Sequence, residues 1–521
     1  MQQYKLISPS DIPESDQICH DHTNLGSTDI SKSTVTATVK LAITLKKSSF
    51  TVTSNSATAQ KLGTITNDPT RHVFLQNISH KAPSIGKFNQ SFYINDDFYQ
   101  PGVFCHGEIP ADPIRIKTNE TMSFDMELVR ETGALVFLLE LRNKYNNFIK
   151  TQIQSLPQNN SVDKNPISAH RGAKWRQKWF YYGSSLSGSL AQWLRITFPH
   201  LVDAAYASSG PVDTVPSYPY SDIAVYNALP CSASVANAVE LIDTIFGADL
   251  DQFPSTSNIK NFPITKHQII KLFGFKDFHN DRDFLYLISS MLNRIVATET
   301  PSHPSQPPLL QDGTSRINHF CSFFSKKKVS AYADIVSYGK AVKSILTDAT
   351  TNKQYESQLV SRTAMGLNLN KSSERLWLWL TCNEMGNFAV SAKNHGYNAT
   401  LIFSKFITFD YFWDQCQTWF GFNSSYTHLS MINNRFGGKS VIPDPRTVYV
   451  EGTGDPTYLA SVVYYQTTLA NRSLSNLPQN IIAIKNAYHH SEYISSTLHT
   501  NPDLKIAQKT ILDFFKAWSL H

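Results

Sequence analysis

The chain has 521 residues, of which 41% are hydrophobic and 17% are charged, and its formal net charge at pH 7 is +6. A chain of this length can bury a large core, so one large domain with an insertion or a second domain is expected. The small charge is not gathered in one basic block, and no apolar run approaches the roughly 18 residues of a membrane span, so neither a nucleic-acid partner nor a membrane span is predicted.

Residues 1–65 are predicted to be an N-terminal extension, because they are rich in Ser, Thr and Lys and contain few large apolar residues. The apolar stretch from Thr34 to Leu45 is interrupted by Lys40 and is predicted to be a strand. The beginning of the chain has no apolar core of the signal-peptide type, which leaves the compartment open. Asn-x-Ser/Thr sequons occur at a frequency close to chance, so they are weak evidence for glycosylation or secretion.

Residues 66–212 are predicted to form the first part of an α/β domain. Short strand-like runs lie between residues 72 and 109, and a helix-like run ends at Gly133, where Gly is a natural stop. The apolar run ALVFLLELR that follows is typical of a strand buried on both faces. Strands and helices then alternate up to LVDAAYASSGPV, and this alternation predicts a parallel sheet.

Residues 213–375 change to helical periodicity, with polar loops and a Pro-rich stretch at Pro301–Pro308, and are predicted to be an inserted cap. Residues 376–521 are predicted to complete the α/β domain, since strand signals return at RTVYVEG and NIIAIKNAY before a last amphipathic helix. The predicted fold class is α/β, an α/β-hydrolase fold with an inserted, mainly helical cap domain.

The stretch 179–200 predicts a strand, a sharp turn and a helix. The G-x-S-x-G nucleophile elbow needs small residues two positions before and after its serine. Gly183 satisfies the first requirement, while Ser187 stands in place of the second Gly. Ser185 fits the template better than either neighbouring serine. The alternative is an ordinary Ser-rich turn whose hydroxyl groups cap the helix.

An acid and a base follow in the order that an α/β hydrolase requires, each in a loop after a predicted strand. Asp455 lies in the Gly-rich loop EGTGDPT, and His489 and His490 lie in AYHHSEY. Ser185, Asp455 and His489 are therefore the predicted catalytic triad. Taken singly, a loop Asp is usually a turn residue and a His pair usually lies on the surface, but all three in register are hard to explain by accident.

The expected roles follow from the proton that a serine hydroxyl must lose when it attacks. His489 takes this proton and returns it to the leaving amine, while Asp455 fixes the imidazole tautomer and stabilises its charge. The backbone N–H of Leu186 is the first predicted oxyanion donor, and the turn near Gly107 is the suggested second one. The six cysteines are widely spaced and show no zinc-type pattern, so no metal site is indicated.

These motifs together resemble the prolylcarboxypeptidase and dipeptidyl-peptidase II family of serine peptidases, in particular its fungal members. The likeness extends over roughly residues 85–521 and includes CNEMGNF, which is similar to the family's C-T-E-x-G-x-F. The family motifs W-x-x-F-G-G-S-Y-x-G-x-L-A-x-W, N-G-x-x-D-P-W and A-H-H-x-D are matched by Trp179, Tyr182, Gly183, Ser185, Gly188, Leu190, Ala191, Trp193, Gly452, Asp455, Pro456, His489, His490 and Glu492.

The resemblance implies a capped α/β hydrolase that cleaves peptides or proteins after proline in a secreted, vacuolar or lysosomal setting. It implies no metal and no organic cofactor, and it suggests a disulfide between Cys382 and Cys416. Whether such an enzyme acts as a carboxypeptidase, a dipeptidyl peptidase or an endopeptidase is left open. The oligomeric state is also left open, with a dimer as one option.

The chain departs from the family motifs at the elbow, where Ser184 and Leu186 replace a Gly and a Tyr, and at Thr457, which replaces the Trp of D-P-W. In the family that Trp helps to form the proline pocket, so its replacement bears directly on proline selectivity. Thr457 and three further side chains are the candidate pocket residues: Trp379, Met385 and Phe388. The alternative for the three is an ordinary place in the core. Two other functions stay open, namely an inactive homologue that serves as a binding protein and an esterase.

Overall fold

The computed structural model of the chain describes residues 70–77, 87–95, 103–109, 124–132, 134–140, 178–247, 264–275, 278, 280–297, 299, 315–325, 330–346, 373–397, 402–423, 425–468, 477–493 and 501–520. The predicted N-terminal extension, residues 1–65, and its predicted strand Thr34–Leu45 lie outside these residues. None of the described helices is long and apolar enough to cross a membrane.

Eight strands of the described chain form one sheet in the order β1-β2-β4-β3-β5-β6-β7-β8. The pairs β1–β2 and β2–β4 are antiparallel, whereas β4–β3, β3–β5, β5–β6 and β6–β7 are parallel. The strands are β1 (Thr70–Asn77), β2 (Lys87–Asn95), β3 (Val103–Ile109), β4 (Leu135–Glu140), β5 (Lys178–Ser184), β6 (Ala204–Ser208), β7 (Thr447–Gly452) and β8 (Ile481–Ile484). This order, with a serine turn after β5, is that of the α/β-hydrolase fold, as predicted.

The strands that carry the serine turn are buried along most of their length. Every residue of β6 and β7 is buried, as are the five central residues of β5, which is typical of parallel strands covered on both faces. Ser184 is in register with Ser208, and Ser208 is in register with Val450. Because the three strands are parallel, their carboxyl ends lie in one row at the same edge of the sheet.

Thirteen α-helices are described between and after these strands. They are α1 (Phe124–Thr132), α2 (Leu186–Thr197), α3 (Tyr220–Ala228), α4 (Ser232–Gly247), α5 (Lys266–Leu272), α6 (Asp281–Ala297), α7 (Arg316–Ser322), α8 (Ala331–Leu346), α9 (Ser373–Leu380), α10 (Phe409–Phe420), α11 (Met431–Phe436), α12 (Val462–Thr468) and α13 (Pro502–Leu520).

The described residues fall into two compact units. The first contains those up to residue 210 together with 443–450 and 492–520, and the second contains 451–491 and those from 211 to 442. The first unit therefore holds β1 to β6, most of β7, and the helices α1, α2 and α13. The second unit holds α3 to α12, the end of β7, and β8. The predicted boundaries 66–212, 213–375 and 376–521 stay predictions.

The helices α4 to α8 pack around a core of aromatic rings in the second unit. The ring of Phe273 lies 5.5 Å from that of Phe284 and 4.9 Å from that of Tyr338, whose other neighbour is Phe320 at 6.0 Å, all measured between centroids. All four side chains are fully buried. Such edge-to-face contacts stabilise a core beyond the area that they bury.

Two disulfides link segments of the second unit. Cys382, in a π-helical turn at Thr381–Met385, is bonded to Cys416 of α10, which confirms the pairing that the resemblance suggested. Cys231, just before α4, is bonded to Cys321 of α7. This second bond was not predicted, because cysteine spacing by itself does not fix connectivity.

Candidate active site

Ser185 occupies a strained turn between the end of β5 and the start of α2. Its backbone angles are φ 56° and ψ −125°, in a region that residues with a side chain rarely adopt. The Ser185 N–H donates a hydrogen bond to the carbonyl of Ser208 at 2.9 Å. The Ser185 side chain makes no capping hydrogen bond to the helix. The turn therefore has the geometry of a nucleophile elbow and lacks the capping bond of the alternative.

Three glycines allow the backbone segments at the elbow to approach one another. A Cβ atom on Gly183 would lie 2.4 Å from the carbonyl oxygen of Ser187, and one on Gly188 would lie 2.4 Å from that of Ser208. A Cβ atom on Gly210 would lie 2.7 Å from the carbonyl carbon of Gly188. The close approach that the G-x-S-x-G template assigns to its second Gly thus falls at Gly188. Ser187 fits in place of that Gly and is buried.

The two predicted oxyanion donors differ in their surroundings. Leu186 is the first residue of α2, and the first N–H groups of a helix have no partner within the helix. Gly107 lies inside β3, in register with Leu138 and Tyr182, and not in a turn after a strand. The turn expected near Gly107 does not include Gly107 itself, because β3 continues to Ile109. Its role as a donor stays a prediction.

Asp455 lies in the loop after β7, and two glycines press this loop against the loop after β8. A Cβ atom on Gly452 would lie 2.5 Å from the carbonyl oxygen of Ala487. The Gly454 N–H donates a hydrogen bond to the same carbonyl at 2.9 Å. Because Tyr488 and His489 follow Ala487 directly, these contacts fix the position of the histidine relative to Asp455.

His489 lies in a short turn that directs its ring towards Asp455. The Tyr488 N–H donates to Oγ of Ser491 at 2.7 Å, and His490 adopts a positive φ of 57°. The Nδ1 atom of His489 lies 2.7 Å from Oδ2 of Asp455. Of the two adjacent histidines, His489 is thus the one that pairs with the acid. The structure brings these two predicted triad members together within the second unit.

The electrostatics of the pair favour an ionised Asp455. Burial by itself raises the pKa of this carboxyl, but the charge and hydrogen bond of His489, with hydrogen bonds from Glu451 and the Thr457 N–H, hold the pKa far below its usual range. An ionised carboxylate only accepts hydrogen bonds, so Nδ1 of His489 carries the proton. The other ring nitrogen, Nε2, is then the one that can accept a proton.

Thr457 supports Asp455 directly, a role that the sequence did not predict. Both its N–H group and its Oγ1 atom lie 2.8 Å from Oδ1 of Asp455, and Oγ1 lies 3.3 Å from Oε1 of Glu451. Glu451 is 1% exposed and was also missed. The sequence did contain one indication of its role: Glu451 stands where the family motif N-G-x-x-D-P-W has Asn.

The other candidate pocket residues differ in exposure. Met385 and Phe388 are each 4% exposed, and Trp379 is partly exposed. The Phe388 ring stacks on that of Phe412, with centroids 5.0 Å apart, and belongs to the main hydrophobic core. Phe388 therefore packs in the core, and the lining roles of Trp379, Met385, Phe388 and Thr457 stay predictions. The described residues contain no group of three or more His, Cys, Asp or Glu side chains that could hold a metal ion.

The sheet order, the elbow and the Asp–His pair define a protein of the α/β-hydrolase class. The family model Serine carboxypeptidase S28 matches residues 80–511. The chain belongs to this family of serine peptidases, which the sequence motifs also indicated.

The chain is similar, at low sequence identity, to several serine proteases. The chain is 22% identical over 507 residues to the serine protease vicPb of Bipolaris victoriae, covering 85% of this chain and 89% of that protein. It is 24% identical over 359 residues to the human thymus-specific serine protease, covering 65% of this chain and 63% of that protein. Among solved structures, an epoxide hydrolase from Vigna radiata is similar at 10% identity and a TM-score of 0.30, covering 86% of this chain and 98% of that chain. At these values the structural likeness supports no conclusion about activity.

Proposed function

We propose that the protein is a serine peptidase that hydrolyses peptide bonds through an acyl-enzyme, with Ser185, Asp455 and His489 as its triad. The observation that carries this proposal is the hydrogen bond of 2.7 Å between His489 Nδ1 and Asp455 Oδ2, because it leaves Nε2 as the base. The strained backbone of Ser185 supports it independently, since such strain is typical of residues held for a function.

The chemistry divides into two steps. In the first, Oγ of Ser185 bonds to the carbonyl carbon of the substrate, its proton passes to Nε2 of His489, and the C–N bond breaks as that proton moves to the leaving amine. In the second, water attacks the acyl-enzyme and gives a proton to Nε2, which passes it to the Ser185 oxygen as that oxygen leaves and the acid product is released. Asp455 stays ionised throughout and stabilises the imidazolium.

The negative oxygen of each tetrahedral intermediate needs donors that are already in place. The N–H of Leu186 is suited to this role because it opens α2, where the helix dipole favours negative charge. The second donor comes from Gly107 or from the end of β3 close to it. These assignments extend the proposal to the oxyanion hole.

The proposed substrates are peptides or proteins cut on the C-terminal side of proline, in a secreted, vacuolar or lysosomal setting. This selectivity rests on the resemblance to the prolylcarboxypeptidase and dipeptidyl-peptidase II family. The hydroxyl of Thr457, which replaces the motif Trp, is engaged with Asp455. A proline ring would therefore be held by other side chains, of which Trp379 and Met385 are the candidates.

Turnover of matched substrates tests this proposal. We expect the wild type to hydrolyse peptides that contain a prolyl amide bond, and Ser185→Ala to lower that rate by several orders of magnitude. A matched series with Ala in place of Pro tests the selectivity, and simple esters test the esterase alternative. Hydrolysis of esters with no cleavage of any peptide would contradict the peptidase proposal. An absence of turnover with either class, in folded protein between pH 4 and 8, would favour the binding-protein alternative.

A further inference from the structure

Glu451 is a second buried carboxyl group beside Asp455. It is the last residue but one of β7, and it is 1% exposed while Asp455 is 0% exposed. The Oγ1 atom of Thr457 lies 2.8 Å from Oδ1 of Asp455 and 3.3 Å from Oε1 of Glu451. Hydrogen bonding by the Glu451 side chain is also one of the causes that lower the pKa of Asp455. Two carboxyl groups therefore meet at one hydroxyl group in a region that is closed to water.

This arrangement favours a proton on one of the two carboxyl groups. A hydroxyl group has a single proton, so Thr457 cannot donate to both at once. Carboxylate oxygens only accept, so a hydrogen bond between two carboxyl groups needs a proton on one of them. Two ionised carboxylates in such a buried site would repel each other strongly, as in other pairs that share one proton.

The donors around the pair indicate where that proton resides. Asp455 faces Nδ1 of His489 at 2.7 Å and two donor atoms of Thr457 at 2.8 Å each. Glu451 has the longer contact of 3.3 Å to the same hydroxyl. Because the donors stabilise negative charge on Asp455, the proton belongs on Glu451.

Other titratable groups that face the pair come from several segments of the second unit. Tyr218, before α3, and Tyr458, after the Asp455 loop, stay neutral, because burial raises the pKa of each. The negative charge of Asp213 also raises the pKa of Tyr218, and Asp213 accepts a hydrogen bond from Tyr465 at 3.0 Å. His489 is the group of this set that becomes positive on protonation. The pair is thus bordered by neutral phenols and the imidazole, and one further carboxyl group, Asp213, contacts Tyr465.

We propose that Glu451 is a protonated positioning residue whose carboxyl group donates a hydrogen bond to the Asp455 carboxylate and keeps it oriented towards His489. The motif that the chain resembles has Asn at this position, and an amide N–H group can donate in the same way without titrating. When Glu451 loses its proton at alkaline pH, a second negative charge appears beside Asp455 and the donor is lost. The expected effect of Glu451 on catalysis rests on the proposed triad. The contact between Glu451 and Asp455 does not depend on that proposal.

Two substitutions test whether Glu451 acts as a hydrogen-bond donor or only fills space. Glu451→Gln keeps a donor and removes the titration, whereas Glu451→Met keeps a similar length and removes the donor. The first readout is the Nδ1–H resonance of His489 in histidine-labelled protein, with His489→Gln to assign it. The second readout is the rate at which a fluorophosphonate labels the protein between pH 5 and 9, with Ser185→Ala as the blank.

We expect the wild type and Glu451→Gln to show the same Nδ1–H resonance and labelling rates within about threefold near pH 6, and Glu451→Met to lose the resonance and about tenfold or more in rate. We also expect the labelling rate of the wild type to fall at alkaline pH, where the donor is lost. The labelling rate of Glu451→Gln is not expected to show this fall. Loss of the resonance in Glu451→Gln, or identical pH profiles of the wild type and Glu451→Gln, would overturn the inference, even if Glu451→Met fails to fold. Absence of labelling in the wild type with the expected resonances would refute the proposed function and leave the positioning role standing.

Discussion

His489 and Asp455 are joined by a hydrogen bond of 2.7 Å although they are 34 positions apart in the chain. Asp455 is fully buried, and 17% of the His489 side chain is exposed. The acid is therefore shielded from water while the base stays accessible to a reactant. This division of exposure suits an acid that only orients and stabilises and a base that must exchange protons with substrate.

Replacing Asp455 by Asn tests this relationship. The Asn amide can present an N–H group to Nδ1 of His489, which favours the tautomer with its proton on Nε2 and removes the base. We expect Asp455→Asn to fold and to lose about 10⁴-fold in turnover, as in other triads with this change. Steady-state kinetics with a prolyl peptide measure the loss. A variant that kept turnover within about threefold of the wild type would contradict the assigned role of Asp455.

The strained turn at Ser185 predicts a difference in stability between two inactive variants. Ser185→Ala keeps the side-chain strain at φ 56°, whereas Ser185→Gly removes it because Gly adopts positive φ readily. Strain of about 1–3 kcal/mol, less an entropic cost of about 0.5–1 kcal/mol for Gly, makes Ser185→Gly the more stable by up to about 2.5 kcal/mol. Reversible denaturant unfolding measures the difference. A less stable Ser185→Gly would show that the turn is not strained.

Asp222 predicts a dependence of stability on pH. It is fully buried, and although it accepts hydrogen bonds from the N–H groups of Ala392, Ile402 and Phe403, burial raises its pKa to about 7. Between its ordinary pKa of about 4 and this value, the unfolded chain loses the proton while the folded chain keeps it, so this group's contribution to stability falls as pH rises. Above about pH 7 both states are ionised and the contribution is constant.

The matched variant Asp222→Asn isolates that contribution, because the amide does not titrate. We expect the unfolding free energy of the wild type, minus that of Asp222→Asn, to fall by a few kcal/mol, in order of magnitude, from about pH 4 to about pH 7. Parallel unfolding curves at several pH values measure this difference. A difference that stayed constant, or that rose with pH, would show that Asp222 is ionised in the folded protein throughout this range.

Much of the fold followed from patterns along the chain. The buried strands β5, β6 and β7 appear as continuous apolar runs, and the chain order of Ser185, Asp455 and His489 pointed to loops that the structure places after β5, β7 and β8. These features are local, so periodicity and turn residues reveal them. The sequence could not show where each strand ends, because the end of a strand depends on its backbone hydrogen bonds to neighbouring strands. For this reason a turn was expected near Gly107, and Gly107 itself lies inside β3.

The missed parts of the candidate site depend on contacts between distant segments. Gly188 matters because the carbonyl of Ser208 lies where its Cβ atom would be, and no pattern around residue 188 reveals that neighbour. Glu451 lies in an ordinary strand pattern, and its burial beside Asp455 becomes visible once the loop after β7 has folded back. Thr457 was read as a pocket residue because of the Trp that it replaces, whereas its own hydroxyl group contacts the acid.

Labelling the full chain with a fluorophosphonate, followed by peptide mass mapping, tests the central claim most directly. This reagent forms a covalent bond to a serine only when a base and an oxyanion hole activate it. We predict a single labelled peptide, modified at Ser185, and loss of that label in Asp455→Asn and His489→Gln. Label on another serine, or no label on folded wild-type protein at any pH between 4 and 8, would contradict the account.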